Sequence, residues 1–482
     1  MDNKTVFFAG VKWTTISAVI CAICKFGQVI VLSRFLTKSE FGLIGVALMC
    51  INISGLFTDL GITSGVMHIQ NISKKEYSSL FWLNIFSGVI VFALFWACTP
   101  LIVAYYKEDQ LAEILPIIFT VILITSFYRL QRTVQLKQMN FRFIALSDIT
   151  GSVIMLMMSV VLAVSGFGIY SLVFSTICYY LWLALIYFVN ALKNERNIFF
   201  HFSFKETRPF LKIGVYQLGA SVIDTISSEM DTIIIGRAFS MEVLGVYTLC
   251  KQFAVRIYQF INPIITNVLT PVLAKVQFDL VEVKNKYLKT ITIIALVNIP
   301  IYLFISYLSP EVLSVLYGRQ YEDAYWVMII LCLNYALLST GNPGGSLQVA
   351  LGRTDLGFYW TIYRVVANAL ALLVGALTGR LEYCVLSVLL VNIINLYPGY
   401  KMITKKIIPL KFSEQLSIFI LPLLLCASLF IVNFVHLIGI PYIIRIVLAG
   451  VIFFPLYALL SFKFSPTAKE TADRVLIKIR RK

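Results

Sequence analysis

The amino-acid sequence predicts an all-α polytopic membrane protein with about 14 transmembrane helices. Hydrophobic residues make up 59% of its 482 residues, charged residues only 13%, and the mean hydropathy is +0.86. Apolar runs of about twenty residues, the length of helix that crosses a bilayer, recur along the whole chain. An internal repeat groups the first twelve helices into two six-helix lobes related by a pseudo-two-fold axis, and two extra helices follow them.

The predicted spans follow from the apolar runs taken in chain order. They cover residues 13–33, 41–66, 80–105, 111–134, 141–164, 168–192, 212–235, 243–268, 287–308, 324–350, 356–378, 382–400, 414–437 and 441–462. The first run is long enough to span and no A-x-A cleavage site follows it. We therefore expect it to remain as the first helix.

The net charge of +16 follows the predicted topology. With a cytoplasmic N-terminus, seven of the 40 Lys and Arg fall on outward segments, four fall within spans, and the remaining 29 face the cytoplasm. Such a bias places both termini inside. The basic tail, residues 463–482, then favours anionic membrane lipids as its partner over nucleic acid.

Cysteine and histidine give no sign of a metal, a cofactor or an enzyme. All nine cysteines lie in apolar spans, and Cys21 and Cys24 have no second pair to complete a metal site. A membrane polymerase or ligase of lipid-linked glycans would need a sizeable external loop, whereas the longest outward loop runs only from Ser309 to Asp323. We expect a protein that is not an enzyme and has no cofactor beyond a coupling H⁺ or Na⁺.

The seventh span carries a polar stripe, at steps of four, three, four and three residues along one helix face. Its members are Gln217, Ser221, Asp224, Ser228 and Asp231. A charge at the bilayer centre costs roughly 2.5 to 3.5 kcal/mol on the insertion scale. Two carboxylates on one face are therefore expected to face other helices or water, along an interior path.

The same register recurs 203 residues earlier, where Arg34 aligns with Arg237. In the first span Thr14, Cys21, Lys25 and Gln28 fall on four members of the later stripe. The second span has its own stripe of Asn52, Gly55, Asp59 and Thr63, whose last two members fall on Asn262 and Thr266. Six spans separate the copies, so the repeat is parallel, as in two-lobed transporters with an axis along the membrane normal.

This repeat sets the predicted domains. They are the N-lobe at 1–192 with spans one to six, a cytoplasmic linker at 193–211, the C-lobe at 212–403 with spans seven to twelve, spans 13 and 14 at 404–462, and a basic cytoplasmic tail at 463–482. Within the lobes, Gly61-x-x-x-Gly65 predicts close helix packing. The segment Gly341-Asn-Pro-Gly-Gly345 interrupts span 10 as either a hinge or a kink.

Several cations are candidates for binding an anionic substrate. Arg129 and Arg132 lie at the cytoplasmic mouth, as ordinary positive-inside residues or as docking sites for an anionic head group. Arg364 shares one face of span 11 with Asn368 and lies too deep to snorkel comfortably.

Four stretches give the chain a family resemblance. They are R-F-L-T-K-S-E-F-G-L from Arg34, D-L-G-I-T-S-G-V-M-H-I-Q from Asp59, the Gln138-Met-Asn-Phe turn, and Leu351-Gly-Arg-Thr-Asp. With the repeat, they resemble the multidrug/oligosaccharidyl-lipid/polysaccharide (MOP) exporter superfamily, and within it the Wzx-type polysaccharide flippases. The resemblance covers nearly the whole chain.

The resemblance implies two helical bundles that open a central cavity alternately to the two sides of a bacterial inner membrane. The substrate would be an undecaprenyl-pyrophosphate-linked oligosaccharide, moved from the inner to the outer leaflet for the biosynthesis of lipopolysaccharide O-antigen, capsule or exopolysaccharide, alongside other polysaccharide-assembly membrane proteins. Similar proteins line the cavity with cations from spans 1, 2 and 8. Lys25, Lys251 and Arg256 match that pattern, whereas span 2 offers Asp59 where some relatives place a cation.

The acidic residues Asp59, Asp224 and Asp231 are candidates for coupling transport to an ion gradient, because a lumenal carboxylate can exchange a proton as the lobes move. A structural ion pair of Asp224 with Lys25 is the alternative. The remaining polar candidates for lining the cavity are Gln28, Asn52, Gln217, Ser221, Ser228, Asn262 and Asn368. A multidrug and toxic compound extruder (MATE)-like antiporter, in which the acidic stripe binds organic cations, is the rival function.

Overall fold

The computed structural model describes residues 3–195, 200–432, 440–466 and 468–470. The described residues form helices joined by short turns and contain no β-strand, which confirms the all-α prediction. The chain divides into two compact units, Met1–Gly245 and Val246–Lys482. Each unit is described by itself.

The first unit is a bundle built around the pairs α1–α6, α4–α5 and α6–α7. Its helices are α1 (Asn3–Leu32), α2 (Lys38–Asp59), α3 (Ile62–His68), α4 (Lys74–Tyr106), α5 (Leu111–Lys137), α6 (Phe141–Val164), α7 (Tyr170–Asn190) and α8 (Phe204–Ala238). Capping boxes start α2 and α4, where Thr37 pairs with Glu40 and Ser73 pairs with Glu76.

The second unit contains most of α9 and the remaining helices. They are α9 (Met241–Lys275), α10 (Leu280–Tyr307), α11 (Ser309–Tyr317), α12 (Tyr325–Gly341), α13 (Pro343–Ala350), α14 (Thr354–Ala376), α15 (Leu381–Ile394), α16 (Leu396–Gly399), α17 (Lys405–Ile407), α18 (Phe412–Leu425) and α19 (Tyr442–Phe464). The last two pack on α10, and Arg445 of α19 forms a buried ion pair with Glu311 of α11 at 3.0 Å.

Twelve helices of the described part are long and apolar enough to cross a membrane, and they coincide with twelve of the predicted spans. The predicted seventh and eighth spans coincide with α8 and α9, which are helical but are not among those twelve. The protein is therefore a multi-pass membrane protein, and the count of fourteen stays a prediction.

Three predicted spans are each interrupted within the described residues, the twelfth at Asn395 between α15 and α16. The second span is divided between α2 and α3 because Leu60 and Gly61 adopt left-handed backbone conformations, with φ of 47° and 73°. The tenth is divided between α12 and α13, where Pro343 occupies the first turn of the new helix. Hydrophobicity alone does not register such breaks, since the residues on both sides remain apolar.

Helix α8 packs against α2, α3 and α4 of the first unit. At one end of this seam the backbones of Gly61 and Gly214 are in contact, and a Cβ atom at position 214 would lie 2.5 Å from the carbonyl oxygen of Gly61. Gly65 approaches the backbone of Phe210 as closely. The Gly61-x-x-x-Gly65 pattern thus serves close helix packing. By packing, α8 belongs to the first unit, whereas the repeat assigns residues from 212 to the C-lobe, and that boundary stays a prediction.

The segment that enters α8 is held against α4. The ring of Phe200 packs on Trp82 and that of Phe202 on Phe86. Ser79 donates to the carboxylate of Glu206 at 2.6 Å, and His201 lies 3.1 Å from the same group. These hydrogen bonds lower the pKa of Glu206 from its ordinary value, so its carboxylate stays charged in this position.

We expect Gly214→Ala to destabilise the first unit by about 1 to 3 kcal/mol, because the added methyl group meets backbone that has no side-chain freedom to yield. The thermal denaturation midpoint in detergent measures this change. Gly219→Ala, on the same helix but facing open space, is the matched control and should leave the midpoint unchanged or slightly raised. Equal midpoints for the two variants would contradict the packing of α3 on α8.

Candidate functional site

The first unit contains a cavity of about 380 Å³ between α1, α2, α5 and α7. Its lining includes three cations predicted from the sequence, Lys25, Arg129 and Arg132, together with the predicted polar residue Asn52. The other lining residues are Ile51, Ser54, Gly55, Thr58, Val121, Ile122, Thr125, Tyr128, Tyr179 and Tyr180. Sequence reasoning placed Lys25 in a deep stripe and the two arginines at the mouth, and the fold brings them to one cavity.

Arg132 is held by a carboxylate from the neighbouring helix. Both terminal nitrogens of its guanidinium donate to Asp148 of α6, at 3.2 and 2.8 Å. The Asp148 side chain is only 16% exposed, whereas that of Arg132 is 39% exposed. Paired bonds of this kind match the planar fork of arginine to two carboxylate oxygens and fix its orientation.

The other two cations are positioned differently. Arg129 donates to the backbone carbonyl oxygen of Gly55 at 2.6 Å, so its charge lies against the C-terminal end of α2. The ammonium of Lys25 lies 5.8 Å from the centre of the Tyr179 ring and interacts electrostatically with Asp148. With Asp148 and with Glu229, which accepts from the lining residue Asn52, each counted once, the three cations leave one positive charge in excess around this cavity.

Three tyrosines form the apolar side of the cavity wall. Tyr128 is buried and stacks on Tyr187, and Tyr179 packs edge-on against Tyr180. Each tyrosine offers an apolar ring face and a hydroxyl group. It can therefore contact a ligand that has both an apolar ring face and hydroxyl groups. The cavity therefore joins positive charge to aromatic surface.

The side chains of the acidic stripe on α8 differ in their exposure. Asp224 and Ser228 are exposed, Ser221 and Asp231 are half-buried, and the side chain of Gln217 lies outside the described residues. One Asp231 carboxylate oxygen accepts from the backbone N–H of Thr232 at 2.7 Å. Whether the stripe lines a transport path stays a prediction.

Asn52 and Glu229 connect the cavity to α8. The Asn52 amide donates to the Glu229 carboxylate at 2.8 Å. Glu229 lies away from the predicted stripe, and it is nevertheless the carboxylate of α8 that reaches α2. This places an acidic group beside the lining of the cavity.

Two predicted residues form hydrogen bonds with other side chains of the first unit and are not among the residues that line the cavity. Gln28 is buried and its side-chain amide donates to the hydroxyl of Ser175 at 2.9 Å. Asp59 accepts from the hydroxyl of Thr63 one turn later at 2.6 Å. In this structure both contribute to helix packing in the first unit.

The remaining candidates belong to the second unit. Lys251 and Arg256 are half-buried on α9, and Arg256 interacts electrostatically with Tyr317. Arg364 is half-buried on α14 and interacts with Tyr258, while Asn368 lies one turn further along the same helix. Asn262 is buried on α9. Their proposed contact with a substrate stays a prediction.

Sequence reasoning missed Asp148, Tyr179 and Tyr180, and it interpreted Glu229 as a helix-packing partner without naming α2 as the helix it contacts. A signal for Asp148 existed, since it is the only carboxylate in the predicted span 141–164. A lone carboxylate at membrane depth implies a cationic partner. Which cation pairs with Asp148 depends on how α5 and α6 are rotated against each other, and one sequence does not show that rotation.

The chain was compared with protein families and with curated proteins. A family model described as "Polysaccharide biosynthesis protein" matches residues 31–325. The teichuronic acid biosynthesis protein TuaB of Bacillus subtilis is 25% identical over 426 residues, 88% of each chain. The lipopolysaccharide biosynthesis protein WzxC of Escherichia coli is 26% identical over 437 residues, 90% of this chain and 88% of that one.

Solved structures share the fold. The lipid II flippase MurJ in an inward closed conformation superposes with a TM-score of 0.75 at 13% identity, covering 95% of this chain and 98% of that one. An inward-facing multidrug resistance MATE family transporter of the MOP superfamily gives a TM-score of 0.65 at 14% identity over 80% of this chain and 95% of that one. At these identities the likeness concerns the fold alone, which is that of an all-helical transporter.

We expect a cysteine at position 52, in a chain whose nine native cysteines are replaced, to react with a small water-soluble thiosulfonate, because Asn52 is exposed and lines the cavity. A cysteine at position 28 should stay largely unlabelled, since Gln28 is buried against α7. Mass spectrometry of the intact protein measures both. Equal labelling would show that this face of the bundle holds no accessible cavity.

Proposed function

Since the chain belongs to the family of polysaccharide biosynthesis proteins, we propose that it moves an undecaprenyl-pyrophosphate-linked oligosaccharide from the inner to the outer leaflet by alternating access. The resemblance to MOP-superfamily polysaccharide flippases is confirmed by the family match and the curated relatives. The observation that carries the proposal is the cavity of the first unit, where Lys25, Arg129 and Arg132 meet.

The physical problem is to move two negative charges across about 30 Å of hydrocarbon. A pyrophosphate can cross only if fixed cations in a wet cavity replace its water, while the polyprenyl chain remains in lipid. Lys25, Arg129 and Arg132 supply that replacement in the first unit. We propose that Lys251, Arg256 and Arg364 supply it in the second.

The sugars that follow the pyrophosphate need weaker and less selective contacts. Tyrosine rings and amide groups provide them without binding so tightly that release is prevented. Tyr179, Tyr180 and Asn52 are placed for this role on the cavity wall. Such contacts fit a transporter that passes a glycan of several residues.

A proton or sodium gradient is the proposed energy source. Asp224 is the strongest candidate for coupling, because it is exposed on α8. Asp231 lies two turns further along, and Asp59 is engaged by Thr63. We also propose that the protein lies in a bacterial inner membrane with both termini in the cytoplasm. It has no enzymatic activity and no other cofactor, and its partners are other polysaccharide-assembly membrane proteins.

An antiporter of organic cations is the second candidate, and the exposed carboxylate of Asp224 favours it. An organic cation would be attracted to that carboxylate directly. The excess of positive charge around the described cavity opposes this function there, because it repels a cationic substrate. The flippase is therefore the better supported function.

We expect Lys25→Met combined with Arg129→Met to slow flipping at least about tenfold, since each charge-assisted bond to phosphate contributes about 1.5 to 3 kcal/mol. The measurement follows the leaflet accessibility of a fluorescent undecaprenyl-pyrophosphate oligosaccharide in liposomes. Lys286→Met, which removes a cation of the α10 pair with Glu282, is the control and should flip at the wild-type rate. Uptake of organic cations without movement of the lipid would favour the antiporter instead.

We expect Asp224→Asn to abolish the dependence of flipping on an imposed pH or sodium gradient while leaving membrane insertion intact. The neutral side chain cannot exchange a cation, although its size is nearly unchanged. Flipping rates with and without the gradient, in the same liposome preparation, measure the effect. A variant that still responds fully to the gradient would exclude Asp224 as the coupling residue.

A further inference from the structure

Arg132 faces the cavity with its guanidinium already occupied. Both of its terminal nitrogens donate to Asp148, at 3.2 and 2.8 Å, and Arg132 lines the cavity whereas Asp148 is not among the lining residues. A ligand that reaches Arg132 therefore meets a cation with an intramolecular anion in the position that a phosphate would take. Binding must begin as a competition.

We propose that Asp148 is a positioning residue that serves as the built-in counter-ion of the cavity. It holds Arg132 while no anion is bound, and it gives Arg132 up to the oxygens of a pyrophosphate diester that enters. The ligand class rests on the proposed function, whereas the competition between Asp148 and an anion rests on the geometry of the pair.

The exchange is chemically balanced at Arg132. A carboxylate and a phosphate group both offer two oxygens to the planar fork of arginine, so each guanidinium N–H loses one acceptor and gains another. No hydrogen-bond donor is left unsatisfied at the end of the exchange. A lysine at this position would lack the second parallel bond and would exchange with less geometric selection.

The released carboxylate keeps a cationic neighbour. Lys25 of α1 interacts electrostatically with Asp148, and Tyr128, Tyr179 and Tyr187 interact with Arg132. The transfer therefore does not leave Asp148 as an isolated charge in a low-dielectric environment, which would be far more costly.

The charges favour one class of substrate. Lys25, Arg129 and Arg132 carry three positive charges and Asp148 one negative charge, so these four residues present two positive charges to the two negative charges of a pyrophosphate diester. Glu229, which accepts from Asn52, adds one negative charge beside them. A phosphodiester offers only one negative charge to the same cations and competes less well with Asp148. Asp148 thus raises the selectivity for a pyrophosphate linkage at the expense of affinity, as expected when an intramolecular group opposes weak competitors.

The test uses the full-length protein in detergent and a soluble P1,P2-dialkyl pyrophosphate, with binding measured by calorimetry. We expect Asp148→Asn to bind this probe about tenfold more tightly, because the ligand no longer displaces an anion. Asp148→Glu should restore the wild-type affinity. Unchanged or weaker binding by Asp148→Asn would overturn the proposal, since a merely structural role predicts a loss.

Two further variants separate this role from general effects of charge. Glu414→Gln removes the carboxylate of the Lys284–Glu414 pair of the second unit and should leave the affinity for the probe unchanged. In an Arg132→Ala background, Asp148→Asn should change the affinity by less than about twofold, because the competition requires Arg132. An equal gain in both backgrounds would show that Asp148 acts only through its charge at a distance, against the proposal.

Failure of this inference is distinguishable from failure of the proposed function. The binding test needs no transport, so a protein that does not flip lipid can still show the expected affinities. A protein that flips lipid but shows no gain in Asp148→Asn retains the function and loses the counter-ion. Should Asp148→Asn not fold, Asp148→Ser removes the same charge with less volume and carries the same expectation.

Discussion

The cost of a charged side chain in hydrocarbon determines much of the described structure. Charges at membrane depth are tolerated where another group replaces water as their partner. In the cavity a different group does so for each cation. Asp148 compensates the charge of Arg132, and the carbonyl oxygen of Gly55 compensates that of Arg129. The ring of Tyr179 and the carboxylate of Asp148 compensate that of Lys25. The bundle thereby holds three cations at one place, each with a partner from the protein itself. A site that must accept a charged substrate and later release it depends on such partial compensation.

Much of the architecture was predictable, because the bilayer imposes one length and one polarity on every crossing helix. Hydrophobic runs located every described helix of membrane length, and polar residues at helical spacing gave α1, α2 and α8 their predicted stripes. The interruption at Leu60–Gly61 was less accessible, since a turn of two residues changes no hydropathy average. The interruption at Pro343 was predictable, because a proline flanked by glycines breaks a helix. Topology from basic residues and lobe boundaries from the repeat remain statements about sequence.

Only part of the site could be predicted from the sequence. Lys25, Arg129 and Arg132 could be selected one by one, because a cation at or near membrane depth is conspicuous in any sequence. Their convergence could not, since it depends on the rotation of α5 against α1 and on the packing of α6 behind it. Gln28 shows what a stripe leaves open. Its position predicts a residue that lines the cavity, and its side-chain amide donates to Ser175 inside the bundle, a contact that the sequence does not indicate.

The glycine contact between α3 and α8 bears on how such proteins diverge and can be recombined. Gly61 and Gly214 touch through backbone, so neither position can enlarge unless the other helix moves away. Over evolutionary time the two positions should therefore vary together or not at all, although 153 residues separate them in the chain. Chimaeras that exchange the first half of the chain with a distant relative should tolerate the exchange best when α3 and α8 come from the same parent.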